Sequence, residues 1–452
     1  MNPRPLKVLL VIEQCNPDWS SVPLLAYHYF RELSNRVQVT LVTHERNRQG
    51  LTRAGVNLDR IVYIAESAFT QHYYRWALQF IPQGMNNWPL YHVLTYPIYA
   101  EFNRQVYQQF HQAVIGGEYD LVHVLTPMMP RYPVKLVQVC HKTPFVLGPV
   151  NGGIPFPPGF AGIAQQEFAY LNFFRSLGRW LIPGYRQTYE QATQILVGST
   201  YTYGMLQGLF DLPEDRLQLF YENGVDQGFT PAPETVHQAR PASFSIANPL
   251  KLLFVGRLVP YKCADVVIAA IATLPKQQQQ KIQCTLVGDG PQGTVLAEQI
   301  ETLGLQKQIN MVGWISQNEI APYYQQADLF CFPSIREFGG AVVLEAMASG
   351  LPCIVTNYGG IGEYVTPETG FKLEPVSKAQ LIVDLAASIQ QFFQHPELLP
   401  QMSEQALQRA GAFQWPHKAE ELISLYNRLI PPKVTAKTAE QPNPIAVPAA
   451  DQ

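Results

Sequence analysis

The sequence predicts an α/β protein of two facing domains, each built on a doubly wound parallel sheet, and three observations carry that prediction. At 452 residues the chain is about three times the usual single-domain length, so two domains of roughly 200 residues each are expected. Apolar strand-like runs alternate with helix-like segments through both halves, the pattern of parallel sheets covered on both faces. Between residues 230 and 249 the rhythm stops, and Pro231, Pro233, Pro241 and Pro249 stand among small polar residues, which marks a linker. The domains are therefore placed at 1–235 and 250–415, followed by a helix at 416–430 and a Pro-, Ala- and Gln-rich tail at 431–452 that is expected to be disordered.

In order, the first half opens with a strand from Lys7 to Ile12, a helix from Val22 to Leu33 and a strand from Val37 to Thr43. Further strands are expected at 121–125, 144–147 and 194–197, each followed by a loop rich in Pro or Gly. The second half repeats the alternation more clearly. Strands at 250–255, 282–287, 309–312, 329–332 and 353–356 are separated by helices at 265–274, 292–303, 317–326 and 341–348. Open sheets of this kind bind ligands beyond the carboxyl ends of their strands, so the cleft between the domains is the expected site.

Composition narrows the functional classes. With 47% hydrophobic, 12% aromatic and 15% charged residues, the chain has ample apolar surface to bury. A net charge of -3 supplies no basic field for nucleic acid. The six cysteines, Cys15, Cys140, Cys263, Cys284, Cys331 and Cys353, show no Cys-x-x-Cys spacing and sit mostly in apolar runs, which disfavours zinc ligation and a disulfide framework. Met1 to Lys7 runs directly into Val8–Ile12, too short for a signal-peptide core, and no stretch reaches the roughly 18 uncharged apolar residues of a spanning helix. A cytosolic protein is expected.

The densest chemical signal is Glu337-Phe338-Gly339-Gly340-Ala341-Val342-Val343-Leu344-Glu345, between a strand and a helix. Two carboxylates bracket a glycine turn whose uncovered amides, at a helix N-terminus, suit phosphate oxygens. Arg257 and Lys262 follow the first strand of the second domain, where fixed cations can neutralise a diphosphate as negative charge develops on it. Loop Arg and Lys are more often plain surface residues; their place at a strand's carboxyl end argues for function. Gly288-Asp289-Gly290-Pro291-Gln292-Gly293 fits the dinucleotide-binding pattern, but it lies in the second βα turn and lacks the acidic residue some 20 positions on, so that reading is rejected. His123, at the end of a first-domain strand, and Asn151-Gly152-Gly153 face the predicted cleft, although a core histidine and a plain turn are the commoner meanings of such residues. The sequence has no Asp-x-Asp pair, no P-loop and no Gly-x-Ser-x-Gly.

Together these residues resemble the retaining nucleotide-sugar glycosyltransferases of family 4, which have the GT-B fold of two facing Rossmann-like domains. The resemblance covers residues 221 to 430 through Asn223-Gly224-Val225-Asp226, Val255-Gly256-Arg257-Leu258, Gly288-Asp289-Gly290-Pro291, Ala327-Asp328 with Pro333-Ser334, Glu337…Glu345, Glu345-Ala346-Met347-Ala348-Ser349-Gly350-Leu351-Pro352 and Gly359-Gly360 with Glu363. Trp415 and the helix to Leu429 look like the family's segment that crosses back to the first domain.

The resemblance implies that Arg257 and Lys262, beside Gly256, hold the donor diphosphate and that Phe338, Gly339, Gly340 and Ala341 cradle it. It further implies that Glu345 binds the nucleotide ribose, that Trp314 and Ile315 lie beside the base, and that Glu337 orients the transferred sugar and stabilises positive charge as the glycosidic bond opens. His123 would be the first-domain residue nearest the sugar and joins Glu337, Arg257 and Lys262 as a catalytic candidate. No cofactor and no metal are expected; the nucleotide sugar is a co-substrate.

Three departures stand out. The family usually reads Glu-Gly-Phe-Gly where this chain has Glu337-Phe338-Gly339-Gly340, usually has Gly at Cys263, and has a Gly-rich loop where Cys15 to Ser21 stands. Trp19 in that loop, with Asn151, Gly152 and Gly153, is assigned to the first domain's side of the cleft. The function implied is retaining transfer of a sugar to a glycan or lipid-linked acceptor, as in polysaccharide or glycolipid biosynthesis. The alternatives are a catalytically degenerate nucleotide-sugar-binding module, which would not turn over, and a sugar-nucleotide epimerase, which would convert donor without acceptor. Residues 53 to 186 carry aromatic clusters (Phe69, Tyr73, Tyr74, Trp76 and Phe80; Phe156, Phe160, Phe168, Tyr170, Phe173, Phe174 and Trp180) with ten Lys/Arg against six Asp/Glu. That mixture suits peripheral docking on anionic lipid, or equally the packing of insertions within the domain.

Overall fold

A computed structural model describes residues 4–79, 88–130, 132–172, 178–179, 181–230 and 243–430. Among these, the first domain is a seven-stranded parallel sheet in the order β3-β2-β1-β4-β5-β6-β7. Its strands are β1 (Lys7–Val11), β2 (Gln38–His44), β3 (Ile61–Ile64), β4 (Leu121–Val124), β5 (Phe145–Val150), β6 (Gln194–Val197) and β7 (Leu217–Leu219). The second is a six-stranded parallel sheet in the order β10-β9-β8-β11-β12-β13, from β8 (Leu250–Val255), β9 (Ile282–Val287), β10 (Ile309–Gly313), β11 (Leu329–Phe332), β12 (Cys353–Thr356) and β13 (Gly370–Leu373). Both sheets are doubly wound, as expected. The central strands β4, β6, β11 and β12 are buried at every residue, which is why they read as continuous apolar runs.

Three strands were not expected from sequence: β3, β7 and β13. Each lies at a sheet edge and is only three or four residues long, so it carries little periodic signal. The helix expected from Gln317 begins instead at Ala321, with Pro322 in its first turn, where a missing N–H costs nothing.

Two chain segments cross between the domains side by side. The helix Trp415–Leu429 packs on the helix Val22–Ser34, and its Trp415, Leu422, Leu425 and Tyr426 join the first-domain core around Tyr29, Phe30 and Leu33. Trp415 stacks on His28 (ring centroids 5.0 Å) and meets Tyr29 edge-on (5.1 Å). The outgoing strand of chain passes beneath it: a Cβ on Gly224 would lie 2.6 Å from the indole, and Val225 exchanges backbone hydrogen bonds with Phe413 (3.0 Å) and Trp415 (3.3 Å).

The domains also clasp across the cleft. Both carboxylate oxygens of Glu363, in the second domain, accept from the Thr200 backbone N–H at the start of the first-domain helix Thr200–Phe210 (2.9 and 3.3 Å), and the Thr200 hydroxyl adds a third bond (2.9 Å). A carboxylate at a helix N-terminus meets the positive end of the dipole. The first-domain segment from Ile154 to Phe160 reaches over the second domain, where Arg336 donates to the Ile154 carbonyl (3.2 Å), Tyr358 to the Pro155 carbonyl (3.2 Å), and Phe160 is buried in that domain's core. Phe156 lies under the Arg336 guanidinium at 4.8 Å. These two aromatics are therefore domain glue and not lipid-facing, a correction to the cluster read from sequence. Phe69 (74% exposed), Trp76 (50%) and Tyr170 (62%) do face outward. Phe80, Phe173, Phe174, Trp180, Arg131, Arg175, most of the Pro-rich linker (231–242) and the tail 431–452 lie outside the described residues. Among the described residues no helix is long and apolar enough to cross a membrane, and all six cysteines are free.

Candidate active site

In the second sheet β8 and β11 are neighbours although three strands apart in sequence, so the winding reverses between them and their following loops splay around a crevice. The candidate residues come from those two loops. After β8, the Gly256-Arg257-Leu258 turn is propped by the loop after β9: Leu258 N–H donates to the Asp289 carbonyl (2.9 Å) and Gln292 N–H to the Leu258 carbonyl (3.0 Å). A Cβ on Gly288 would lie 2.0 Å from the Gly256 carbonyl, and one on Gly290 2.4 Å from that of Leu258. The glycines of the rejected dinucleotide pattern thus serve backbone-to-backbone packing. Arg257, so supported, is exposed, and its guanidinium makes no hydrogen bond or ion pair among the described residues.

Lys262 closes the short turn Pro260–Lys262, and the residue after it, Cys263, takes a left-handed backbone (φ 58°, ψ 39°) at the start of the helix Ala264–Thr273. The position where the family resemblance leads one to expect glycine therefore keeps a glycine-like conformation, with the thiol buried. The Lys262 ammonium forms an ion pair with Glu337 Oε2 and stands 4.9 Å from the Phe332 ring centroid. Both side chains of the pair are largely buried (15% and 17% exposed), and the Ser334 hydroxyl donates to the same carboxylate oxygen at 3.4 Å.

The turn after β11 ends in Gly340 at φ 66°, ψ 64°, just ahead of the helix Ala341–Ala348. Among the described residues the amides of Gly339, Gly340 and Ala341 find no acceptor, and the first to do so is Val343 N–H, on the Gly340 carbonyl (3.0 Å). They are free for an anion. The carbonyls of the turn are taken: Gly360 N–H donates to Glu337 O (3.1 Å) and Asn151 Nδ2 to Phe338 O (3.1 Å), the latter from the other domain. No side chain fits at either glycine. A Cβ on Gly340 would lie 2.3 Å from Ile361, and one on Gly339 2.1 Å from Asn223 Nδ2 and 2.2 Å from Glu222 Oε1.

Glu345, one turn down that helix, is 8% exposed, and burial first of all pushes its carboxyl up. Gln317 Nε2 (2.8 Å) and the Tyr324 hydroxyl (2.8 Å) donate to its two oxygens. Trp314, at the end of β10, is 73% exposed, and Ile315 is half-buried beside it. Gln317 and Tyr324 escaped the sequence reading because nothing in their spacing ties them to a carboxylate a whole strand away.

On the first-domain side, Asn151 bridges the domains. Its Oδ1 accepts from Ser199 (2.8 Å) and Thr202 (2.9 Å) while its amide reaches Phe338. Gly152 donates to Thr202 (3.0 Å), and Gly153 (φ 90°) has no room for a side chain because Met205 Sδ would be 2.6 Å away. Trp19 is 39% exposed on a loop held by Asn16, whose side chain accepts from Asp18 N–H (3.0 Å). His123 does not face the cleft. It is fully buried, with Nε2 donating to the Gly148 carbonyl (2.6 Å) and Nδ1 accepting from the Tyr426 hydroxyl (2.5 Å), so both nitrogens are spent, one tying β4 to β5 and the other tying β4 to the returning helix. Burial lowers its pKa to about 4, against the pull of the Gly148 carbonyl, and the ring is neutral. Two groups that sequence did not single out complete the crevice: Glu222, whose carboxyl lies behind Gly339, and Arg336, whose guanidinium lies between the Phe156 (4.8 Å) and Phe338 (5.4 Å) rings.

Residues 237–409 match the family model "Glycosyl transferases group 1". Among curated relatives, the D-inositol 3-phosphate glycosyltransferase of Rhodococcus opacus (strain B4) is 32% identical over 180 residues, 38% of this chain and 40% of the relative. That of Corynebacterium glutamicum (strain R) is 27% identical over 252 residues, 54% and 59% of the two chains. The chain thus spans about 40% of the first curated relatives' length. Structural likeness reaches further: Anabaena Alr3699/HepE in complex with UDP (TM-score 0.60, 16% identity) covers 94% of this chain and 100% of its own. A glycosyltransferase from Rickettsia africae (0.61, 16%) covers 94% and 98%. WaaG, involved in lipopolysaccharide biosynthesis (0.57, 18%), covers 93% and 99%. The fold is GT-B.

Proposed function

We propose that this chain is a retaining glycosyltransferase that moves a hexosyl group from a nucleotide sugar to a glycan or lipid-linked acceptor, without a metal ion, at the cytoplasmic face of a membrane. The observation that carries the reading is the Lys262–Glu337 pair at the β8/β11 reversal, beside three unpaired amides and the free Arg257. Donor diphosphate in that crevice meets the Arg257 and Lys262 charges and the Gly339–Ala341 amides. As the bond from the anomeric carbon to the phosphate oxygen breaks, the negative charge gathering on that oxygen is met by groups already in place, which costs no reorganisation. Glu337, freed from Lys262 by the phosphate, turns its carboxylate to the sugar hydroxyls and to the positive charge developing on the ring. The Glu345 carboxylate exchanges its Gln317 partner for ribose hydroxyls, and the base lies along Trp314 and Ile315. The matched family model over residues 237–409 and the UDP complexes among the structural relatives support this assignment of the second domain to the donor.

A thermal-shift panel of UDP, GDP and ADP, each with its sugar conjugates, tests it. One base is expected to raise the melting temperature, by about 2.7 kcal/mol of stabilisation at a hundredfold excess over Kd, and Arg257→Ala to weaken that shift. No shift with any member of the panel removes the donor site.

The outward-facing Phe69, Trp76 and Tyr170 and the basic excess of residues 53 to 186 support a lipid-proximal acceptor. Wild-type protein is expected to co-sediment with phosphatidylserine vesicles and not with neutral ones. Equal partition between the two removes the membrane part of the proposal and leaves sugar transfer standing.

A further inference from the structure

Glu222 follows β7 by three positions, in the segment that leads from the first domain to the second, and its carboxyl lies behind the anion-binding turn. It is 9% exposed, and its Oε1 fills the place where a side chain on Gly339 would begin, 2.2 Å from such a Cβ. The Asn151 amide, which donates to the Phe338 carbonyl of the turn, also draws the Glu222 carboxyl toward its ionised form, so one first-domain side chain acts on both. Charged and titratable groups face Glu222 from every side. Glu337 approaches from the β11 loop, Lys418 from the helix Trp415–Leu429, Tyr29 from the helix Val22–Ser34 and Tyr364 from the helix Ile361–Tyr364. Tyr29 donates to the Glu222 main-chain carbonyl (2.7 Å), and Lys418 is committed to the Tyr221 carbonyl (2.5 Å) and the Phe220 ring (4.0 Å).

Resting on the donor-site reading above, we propose that Glu222 is a proton-linked positioning residue for the nucleotide-sugar diphosphate: neutral, it seats the Gly339 turn and Asn151 for phosphate, and ionised, it sets a negative charge behind that turn. Burial foremost, with the Glu337 charge adding to it, raises Glu222 to about 7 against the pull of Asn151 and Lys418. A diphosphate on the far side of the turn adds like charge and pushes the group higher still. Binding then takes up a proton, and by linkage donor affinity falls as pH rises through the free-state value. The neutral acid is the form that binds.

The test uses the full-length protein and sugar nucleotides (UDP-glucose, GDP-mannose and ADP-glucose), whose diphosphates carry no proton to lose near neutrality. Calorimetry on the wild type at pH 7 in two buffers of different ionisation enthalpy is expected to show net proton uptake. Kd is expected to weaken by about tenfold between pH 6 and 8.5, the effect of a coupling of about one pKa unit. Glu222→Gln, neutral at every pH, is expected to bind as the wild type does at pH 6, with a flat profile and no proton uptake. Wild-type binding without proton uptake overturns the proposal whatever the variant does, as does a Gln variant that keeps the wild-type slope, and both leave the donor site intact. If no sugar nucleotide binds the wild type at any pH, the donor-site reading falls and this inference with it.

Discussion

Lys262→Ala lowers the turnover number for sugar transfer by about 10²–10³-fold, the usual cost of removing one preorganised group that meets developing charge. The ammonium is held by the Pro260–Lys262 turn, the Phe332 ring and Glu337, in a place that is only 15% exposed. Water does not replace it well there. Glu337→Gln is expected to fall in the same range, since the amide keeps the shape and loses the charge that both Lys262 and the reacting sugar require. Because the two side chains are bonded to each other, the double substitution should cost much less than the product of the single effects. Steady-state kinetics with the donor identified by the thermal-shift panel decides the matter. If both single variants keep more than a tenth of wild-type turnover, this pair is not the reacting centre, whatever else the crevice binds.

Trp415→Ala is the largest expected effect on stability, about 3–5 kcal/mol. The indole is 3% exposed, stacks on His28, meets Tyr29 edge-on and covers Gly224, so its removal opens a cavity at the place where both interdomain segments cross. Chemical denaturation followed by far-ultraviolet circular dichroism measures it, with the first transition taken as the first domain's. Trp415→Phe should recover a large part of the loss, because a ring of the same thickness still covers Gly224. A loss under about 1 kcal/mol for the alanine variant would mean that the helix Trp415–Leu429 is not held through this residue.

The second-domain half of the candidate site was legible because its signals are local. A glycine turn between a buried strand and a helix is written in nine consecutive residues, Glu337 to Glu345, and the cations follow one strand directly. Residues that act across the cleft leave no such trace. Asn151 reaches Phe338 from the other domain, Glu222 fills the space behind Gly339, and Gln317 and Tyr324 bind Glu345 from the loop after β10 and the helix that follows it. His123 was misplaced for the same reason: a polar residue at a strand's end looks like a cleft residue until Tyr426, 303 positions away, is found bonded to it.

Alone, the sequence determined that two doubly wound parallel sheets would form and where the turns at their carboxyl ends would fall, because apolar periodicity and glycine placement act over a few residues. The three short edge strands, the reach of Ile154–Phe160 across the second domain and the carboxyl group behind the Gly339 turn were decided only by tertiary structure. The physical reason is that a contact between distant segments depends on how two finished domains face each other. The chain states that nowhere in its local order, and it is this facing that brings Asn151 and Glu222 against the Gly339 turn.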